Sequence, residues 1–260
     1  MSNKCFSYLL VFALSIVLIF TFTPLVLLMI RGVPNIHQCI QSKEILFSIR
    51  LSLITSTIST LICLFFSIPV AYALEREDIK AKRLIQILIF LPMSLPHMIS
   101  GVALLLFLGN LGIGKFLSKL GIDYVFNPKG IVAAQVFVNL PFMVNMLRIA
   151  IKESGYKIEF IGRTLGCNRW QTFIYITVPL IKNSLVSSLI IVWSRALGEF
   201  GAVIMLAGAT TMKTEVMPTS IFMNMSTGDL DIAIGTATIL IFISIISMLL
   251  VELIQKSKSV

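Results

Sequence analysis

The chain has 260 residues, 57% of them hydrophobic and only 13% charged, with a formal net charge of +9. A soluble globular domain carries about 25% charged residues, so that composition and a mean hydropathy of +0.96 exclude one. The 21 Lys and Arg are scattered along the chain rather than gathered into one stripe, which argues against a nucleic-acid-binding surface.

An all-α membrane protein is the expected class. Lipid-exposed backbone must satisfy its own hydrogen bonds, and a helical crossing needs roughly 20 predominantly apolar residues. The first such run, 5–30, follows Lys4 and exceeds a signal-peptide core, so it reads as a retained helix. A short loop over 31–44 leads to the second run, 51–74, with Arg50 close enough to its end to snorkel. The compact charged turn EREDIKAKRL precedes the third, 84–108, in which Pro92, Pro96 and Gly101 suit kinks and close helix packing. His97, beside Pro96, reads as a packed polar residue.

The Gly-rich stretch that follows contains GNLGIGK at 109–115, a match to the start of a phosphate-binding loop. Phe116 stands where a magnesium-binding Ser or Thr belongs, and no strand precedes it, so the stretch reads as a turn. The fourth run, 131–147, is short and contains Gln135, Asn139 and Asn145. Residues 148–183 then form the largest soluble feature, amphipathic and basic. The fifth run, 184–208, contains Arg195, Gly198 and Glu199. The following segment has helical character between Val216 and Met225 and is expected to re-enter the membrane in part, before the sixth run, 232–251.

Six spans in a single transmembrane domain, 1–260, place both termini on one side. Short cytoplasmic loops are enriched in Lys and Arg. Arg76, Lys80, Lys82 and Arg83 fall in one such loop, Arg148 through Lys182 in another, and Lys256 and Lys258 at the C-terminus, which predicts both ends in the cytoplasm. Cys5, Cys39, Cys63 and Cys167 have no CxxC spacing, and with two His in all, neither a metal site nor a catalytic constellation is expected. An ion-gradient-driven transporter would show inverted repeats, and no such self-similarity is visible.

Within 148–183, two short helices are expected to bend around Gly166. The glycine can take the left-handed conformation that ends a helix, Asn168 can cap the next, Gln171 completes a capping box, and Pro179 interrupts the helix before the fifth span. These residues resemble the signature loop of ABC importer permeases, which reads Glu-Ala-Ala, three residues, Gly, nine residues, then Ile-x-Leu-Pro. Gly166 is followed at that spacing by Ile176-Thr177-Val178-Pro179. The Glu-Ala-Ala positions fall instead on Phe160-Ile161-Gly162, with Glu159 displaced by one residue. LPMSLPHMISGVALL (91–105), RTLGCNRWQTF (163–173) and SRALGEFGAVIMLAG (194–208) resemble the branch that moves molybdate, tungstate and sulfate, and the likeness runs over 48–250.

The resemblance implies a type I importer permease without its own ATPase. It implies a homodimer, two ATPase subunits that carry ATP and magnesium, and an external binding protein that delivers the oxyanion. A sulfate or thiosulfate permease of the same family is the alternative substrate reading. The resemblance also implies that Glu159, Arg163, Gly166, Asn168, Ile176 and Pro179 form the ATPase-coupling surface. Arg195 and Glu199, spaced i, i+4, either pair with each other or line the translocation pathway with Gly198, since ionisable groups at bilayer depth must be paired or face water.

Overall fold

The computed structural model describes residues 3–109 and 113–256. Residues 110–112 of the GNLGIGK stretch and Lys258 lie outside the described residues. In chain order the helices begin with α1 (Asn3–Gly32), α2 (Ile36–Gln41), α3 (Lys43–Arg76), α4 (Lys82–Ser94), α5 (His97–Leu108) and α6 (Gly114–Lys119). They continue with α7 (Pro128–Glu153), α8 (Tyr156–Thr164), α9 (Arg169–Thr172) and α10 (Val178–Leu180). The last four are α11 (Lys182–Leu197), α12 (Gly201–Ala207), α13 (Met217–Thr227) and α14 (Leu230–Lys256).

Four of these, α1, α3, α7 and α14, are long and apolar enough to cross a bilayer, and counting two bent pairs as one crossing each brings the number to six. The first bend falls inside the expected third span, where the kink at Pro96 is a full break, and the second falls at Ile181, just before the expected fifth span. At Leu95-Pro96 the chain turns by 112° between α4 and α5. Leu95 is extended (ψ 144°), as the residue before a proline is driven to be, and Pro96 has no amide to continue the ladder. The expected 184–208 span is interrupted where α11 ends at Gly198 and α12 starts at Gly201. At about 1.5 Å per residue, neither α5 nor α12 reaches across a membrane. The helical segment expected over 216–225 is present as α13.

The centre of the molecule is the α3–α7 pair, which makes the most extensive interhelical contact. One side of α3 is a run of small residues, Ser48, Ser52, Thr55, Ser59, Cys63, Ser67 and Ala71, all buried. Small side chains let two backbones approach, and Ser48, Thr55 and Ser59 return their hydroxyl protons to carbonyls of their own helix. The facing side of α7 contributes Ile131, Ala134, Val138, Met143, Leu147 and Ile151. One apolar cluster sits at the C-terminal end of α7 with Leu74, Ile181 and Val192; a second sits at its N-terminal end with Leu104, Ala202 and Leu206.

The short helices α5 and α12 lie against each other across glycines. A Cβ on Gly101 would come within 2.7 Å of Met205 Cβ and 2.8 Å of the Ala202 Cα, and one on Gly201 within 3.1 Å of the Met98 amide nitrogen. Backbone cannot retreat as a flexible side-chain tip can. Gly101→Val is therefore expected to lower stability by about 3 kcal/mol, at the upper end of overpacking effects. A thermal melt in detergent reads this as a depressed midpoint, and an unchanged midpoint would mean that α5 and α12 separate freely.

Candidate coupling loop and membrane-embedded charges

The loop between α7 and α11 is organised by its caps. α8 ends in a Schellman motif: the Gly166 amide donates to Arg163 O (3.1 Å) and the Cys167 amide to Gly162 O (3.0 Å). Gly166 sits at the turn with φ +99°, a conformation only glycine adopts without strain. Two residues on, Asn168 Oδ1 accepts from the Gln171 amide (2.8 Å) and Gln171 Oε1 from the Asn168 amide (2.9 Å), a reciprocal box that starts α9. The result is a rigid elbow with Gly166 at its exposed apex.

After α9 the chain widens into a π-helical turn, Phe173–Thr177, in which the Val178 amide donates to Phe173 O, five residues back. The proline at 179 explains the widening, because it lacks an amide proton and its ring would strike the carbonyl of residue 175 in a regular helix. The axis then turns by 68° from the segment Arg169–Leu180 into α11.

Glu159 is not on the docking surface, contrary to the expectation from the resemblance. Its side chain is fully buried and both carboxylate oxygens accept from Arg76 Nε, at 3.0 and 3.1 Å. Arg76 also donates to Ile151 O (2.7 Å) and Gly155 O (3.3 Å), so one guanidinium joins α3, α7 and α8. Burying a charge is tolerable only with such partners. Tyr156 packs between the guanidinium groups of Arg76 and Arg163, each 5.8 Å from the ring centroid, and Arg163 donates to the Tyr156 hydroxyl. The tip of the Ile176 side chain packs directly onto Gly162 and would have to shift to admit a Cβ there. Gly162, Arg76 and Tyr156 thus belong to the elbow although their roles were not read from the sequence. For Gly162 a signal existed: it occupies the last Ala position of the family signature, where a small residue is required.

Arg195 and Glu199 do not pair, because α11 ends between them and the i, i+4 geometry is lost. Arg195 is exposed, with Nε donating to Asn139 Oδ1 (3.3 Å) and the guanidinium 4.4 Å from the Phe142 ring centroid, both on α7. Glu199 is buried; Oε2 lies 2.8 Å from His97 Nδ1 and Oε1 accepts from the Ala202 amide (3.0 Å) at the start of α12. His97 therefore ties the break between α4 and α5 to the break between α11 and α12. Gly198 is the exposed residue that closes α11. Beneath Arg195, Gln135 donates to Ala196 O (2.9 Å), pinning α7 to α11.

The chain matches the family model for binding-protein-dependent transport system inner membrane components over residues 66–260. It belongs to this family. The permease is 32% identical over 234 residues to the molybdenum transport system permease protein ModB of Mycobacterium tuberculosis, covering 89% of this chain and 88% of that one. It is 32% identical over 194 residues to the molybdate/tungstate transport system permease protein WtpB of Methanocaldococcus jannaschii, covering 75% of this chain and 76% of that one. The permease also superimposes on a chain of a bacterial ABC transporter involved in import of the acidic polysaccharide alginate. There the TM-score is 0.77 at 21% identity, covering 98% of this chain and 95% of that one, so the shared feature is the fold. As an ABC importer permease it is the membrane component, and ATP hydrolysis in this family is the work of a separate subunit.

Proposed function

We propose that this permease, as two copies, imports a tetrahedral oxyanion, molybdate or tungstate, that an external binding protein delivers. Two ATPase subunits with ATP and magnesium drive it through the elbow at Gly166. The substrate rests on what the ModB and WtpB names say of those relatives. The coupling role rests on the elbow, whose base is clamped to α3 by a buried ion pair while its tip carries Leu165, Trp170 and Tyr175 at 80%, 67% and 73% exposure. Large apolar side chains grouped this way at a polar surface mark a protein-binding site.

Displacing the elbow acts on the bundle by two routes. The Arg76–Glu159 pair passes force to α3, and the π-helical turn with Pro179 passes it to α11, whose far end carries Arg195. A lever of 16 residues spans about 24 Å. The cation at its tip offers an oxyanion a contact with one side chain only, and so one that is readily released. Arg195→Gln is expected to reduce uptake about tenfold, the effect of one lost charge-assisted hydrogen bond, with only a small fall in melting temperature from the lost Asn139 and Phe142 contacts. Unchanged uptake would remove Arg195 from the pathway.

With Arg76, Arg148 and the elbow on the inner side, both termini face the cytoplasm. Cys167 would then be labelled only from the cytoplasm and a Lys115→Cys variant only from outside; the reverse pattern would overturn the orientation. Substrate identity is tested by competition in proteoliposomes holding the complete transporter. Molybdate and tungstate should displace each other at concentrations where sulfate does not. Equal displacement by sulfate would favour the sulfate reading, and uptake of none of the three would refute the oxyanion reading.

A further inference from the structure

Between the cytoplasmic halves of α4 and α7 lies an open cleft of about 510 Å³ whose polar lining is Arg83, Gln86, Ser94, Asn145 and Arg148. No carboxylate lines it, and among the described residues neither arginine is in an ion pair. The Arg148 guanidinium is held 5.5 Å from the Phe90 ring centroid, positioned by stacking rather than neutralised by an acid. The rest of the lining, Ile87, Phe90 and Leu91, is apolar, and since two cations and three uncharged hydrogen-bonding side chains would be costly against hydrocarbon, the polar side of the cleft lies at or beyond the membrane interface.

The cleft and the residues that hold Arg195 are carried by the same helix, α7. Asn139 and Phe142, which hold Arg195, share α7 with Asn145 and Arg148, and each three-residue step turns the face by about 60°, so Arg148 stands on the opposite side of the helix from Asn139. From Asn139 to Arg148 the rise is about 14 Å at 1.5 Å per residue.

We propose that Arg83 and Arg148, with Gln86, Ser94 and Asn145, form a cytoplasmic exit subsite for a tetrahedral oxyanion. The subsite deepens the oxyanion-importer reading and rests on it. Two guanidinium groups match the charge of a dianion, while the amide and hydroxyl donors match its oxygens. The openness of the cleft to water suits release to the cytoplasm.

The test places a single reactive cysteine in the cleft, Ser94→Cys with the native cysteines replaced, in the permease–ATPase complex held in neutral phosphatidylcholine nanodiscs. An anionic methanethiosulfonate should modify it about tenfold or more faster than a cationic one, as expected for an electrostatically focused cleft. Molybdate should slow the reaction. The pair Arg83→Gln and Arg148→Gln should abolish both effects. In proteoliposomes the same pair should lower uptake about tenfold or more while ATPase stimulation by loaded binding protein is retained.

Equal rates for the two reagents, or no protection by molybdate, would overturn the subsite. Loss of the charge preference on adding phosphatidylglycerol, with molybdate inert, would assign the cleft to a lipid headgroup and also overturn it. Normal uptake by the double variant would overturn the exit role. If the unmodified transporter moves none of molybdate, tungstate or sulfate, the substrate reading fails, and the exit role fails with it even where the reagent rates differ.

Discussion

Gly166→Val is expected to abolish ATP-driven uptake, by about 100-fold, in a protein that still inserts and folds. The backbone at 166 has φ +99°, and a Cβ built there meets nothing within 4 Å. The effect is therefore conformational rather than steric. A β-branched residue in that region of backbone space costs about 3 kcal/mol, which at 1.4 kcal/mol per decade corresponds to about 100-fold in the population of the native elbow. Because the Schellman motif and the Asn168 box share this one turn, losing it misaligns both short helices. Gly166→Asn, which tolerates positive φ, should keep most of the activity. Uptake and co-purification of the ATPase subunit, measured together, check the prediction. Valine with normal values for both would show that the elbow geometry is not used.

Glu159→Ala should be the most damaging single change to the loop's attachment. It leaves Arg76, whose side chain is 7% exposed, with two backbone carbonyls and no counter-charge. Removing one member of a buried ion pair costs roughly 3–5 kcal/mol. The expected readouts are rapid tryptic cleavage at Arg163 and Arg169 and loss of uptake. The double change Arg76→Met with Glu159→Leu separates charge from packing, since replacing both partners by apolar groups of similar volume is often neutral. Recovery of protease resistance in the double variant is expected, and continued sensitivity would mean that the two residues act independently. The exposed pair Arg169–Glu77, 3.2 Å apart, should by contrast contribute about 0.2–1 kcal/mol, too little to hold the loop alone.

What could be read before the fold was known divides along physical lines. Hydropathy marks the long helices because bilayer thickness imposes a length, and the cap residues mark the elbow because Gly166, Asn168 and Gln171 make their contacts within five residues of one another. Pro96 reads as a kink, but neither 95–96 nor 198–200 was legible as a full break: the stretch around each is long enough and apolar enough overall to read as one span, and only the pairing of α5 with α12 makes two short helices preferable to one long one. Glu159 reads as an exposed acid in an amphipathic loop until Arg76, far away in sequence, is brought under it. The same applies to Glu199, for which the sequence offers Arg195 as a neighbour and the fold supplies His97. Local hydrogen bonds and lengths are written in short stretches of chain, whereas partners across the bundle depend on the packing of the whole.

Two arrangements in the fold connect the elbow to the membrane charges. The serine-rich side of α3 lets α7 lie close enough for Arg76 to reach Ile151 O, so that elbow, α3 and α7 share one anchor. The Pro179 turn makes α11 a continuation of the elbow at a fixed angle, with Gly198 ending it beside Arg195. Under the proposed function these are the two connections by which motion at Gly166 would reach Arg195.

The measurement that decides this account is uptake of radiolabelled molybdate into proteoliposomes carrying the permease and its binding protein, with and without the ATPase subunit. Uptake only when the ATPase and hydrolysable ATP are both present is the predicted result. Uptake by the permease alone, or uptake unaffected when the ATPase cannot hydrolyse ATP, would contradict it.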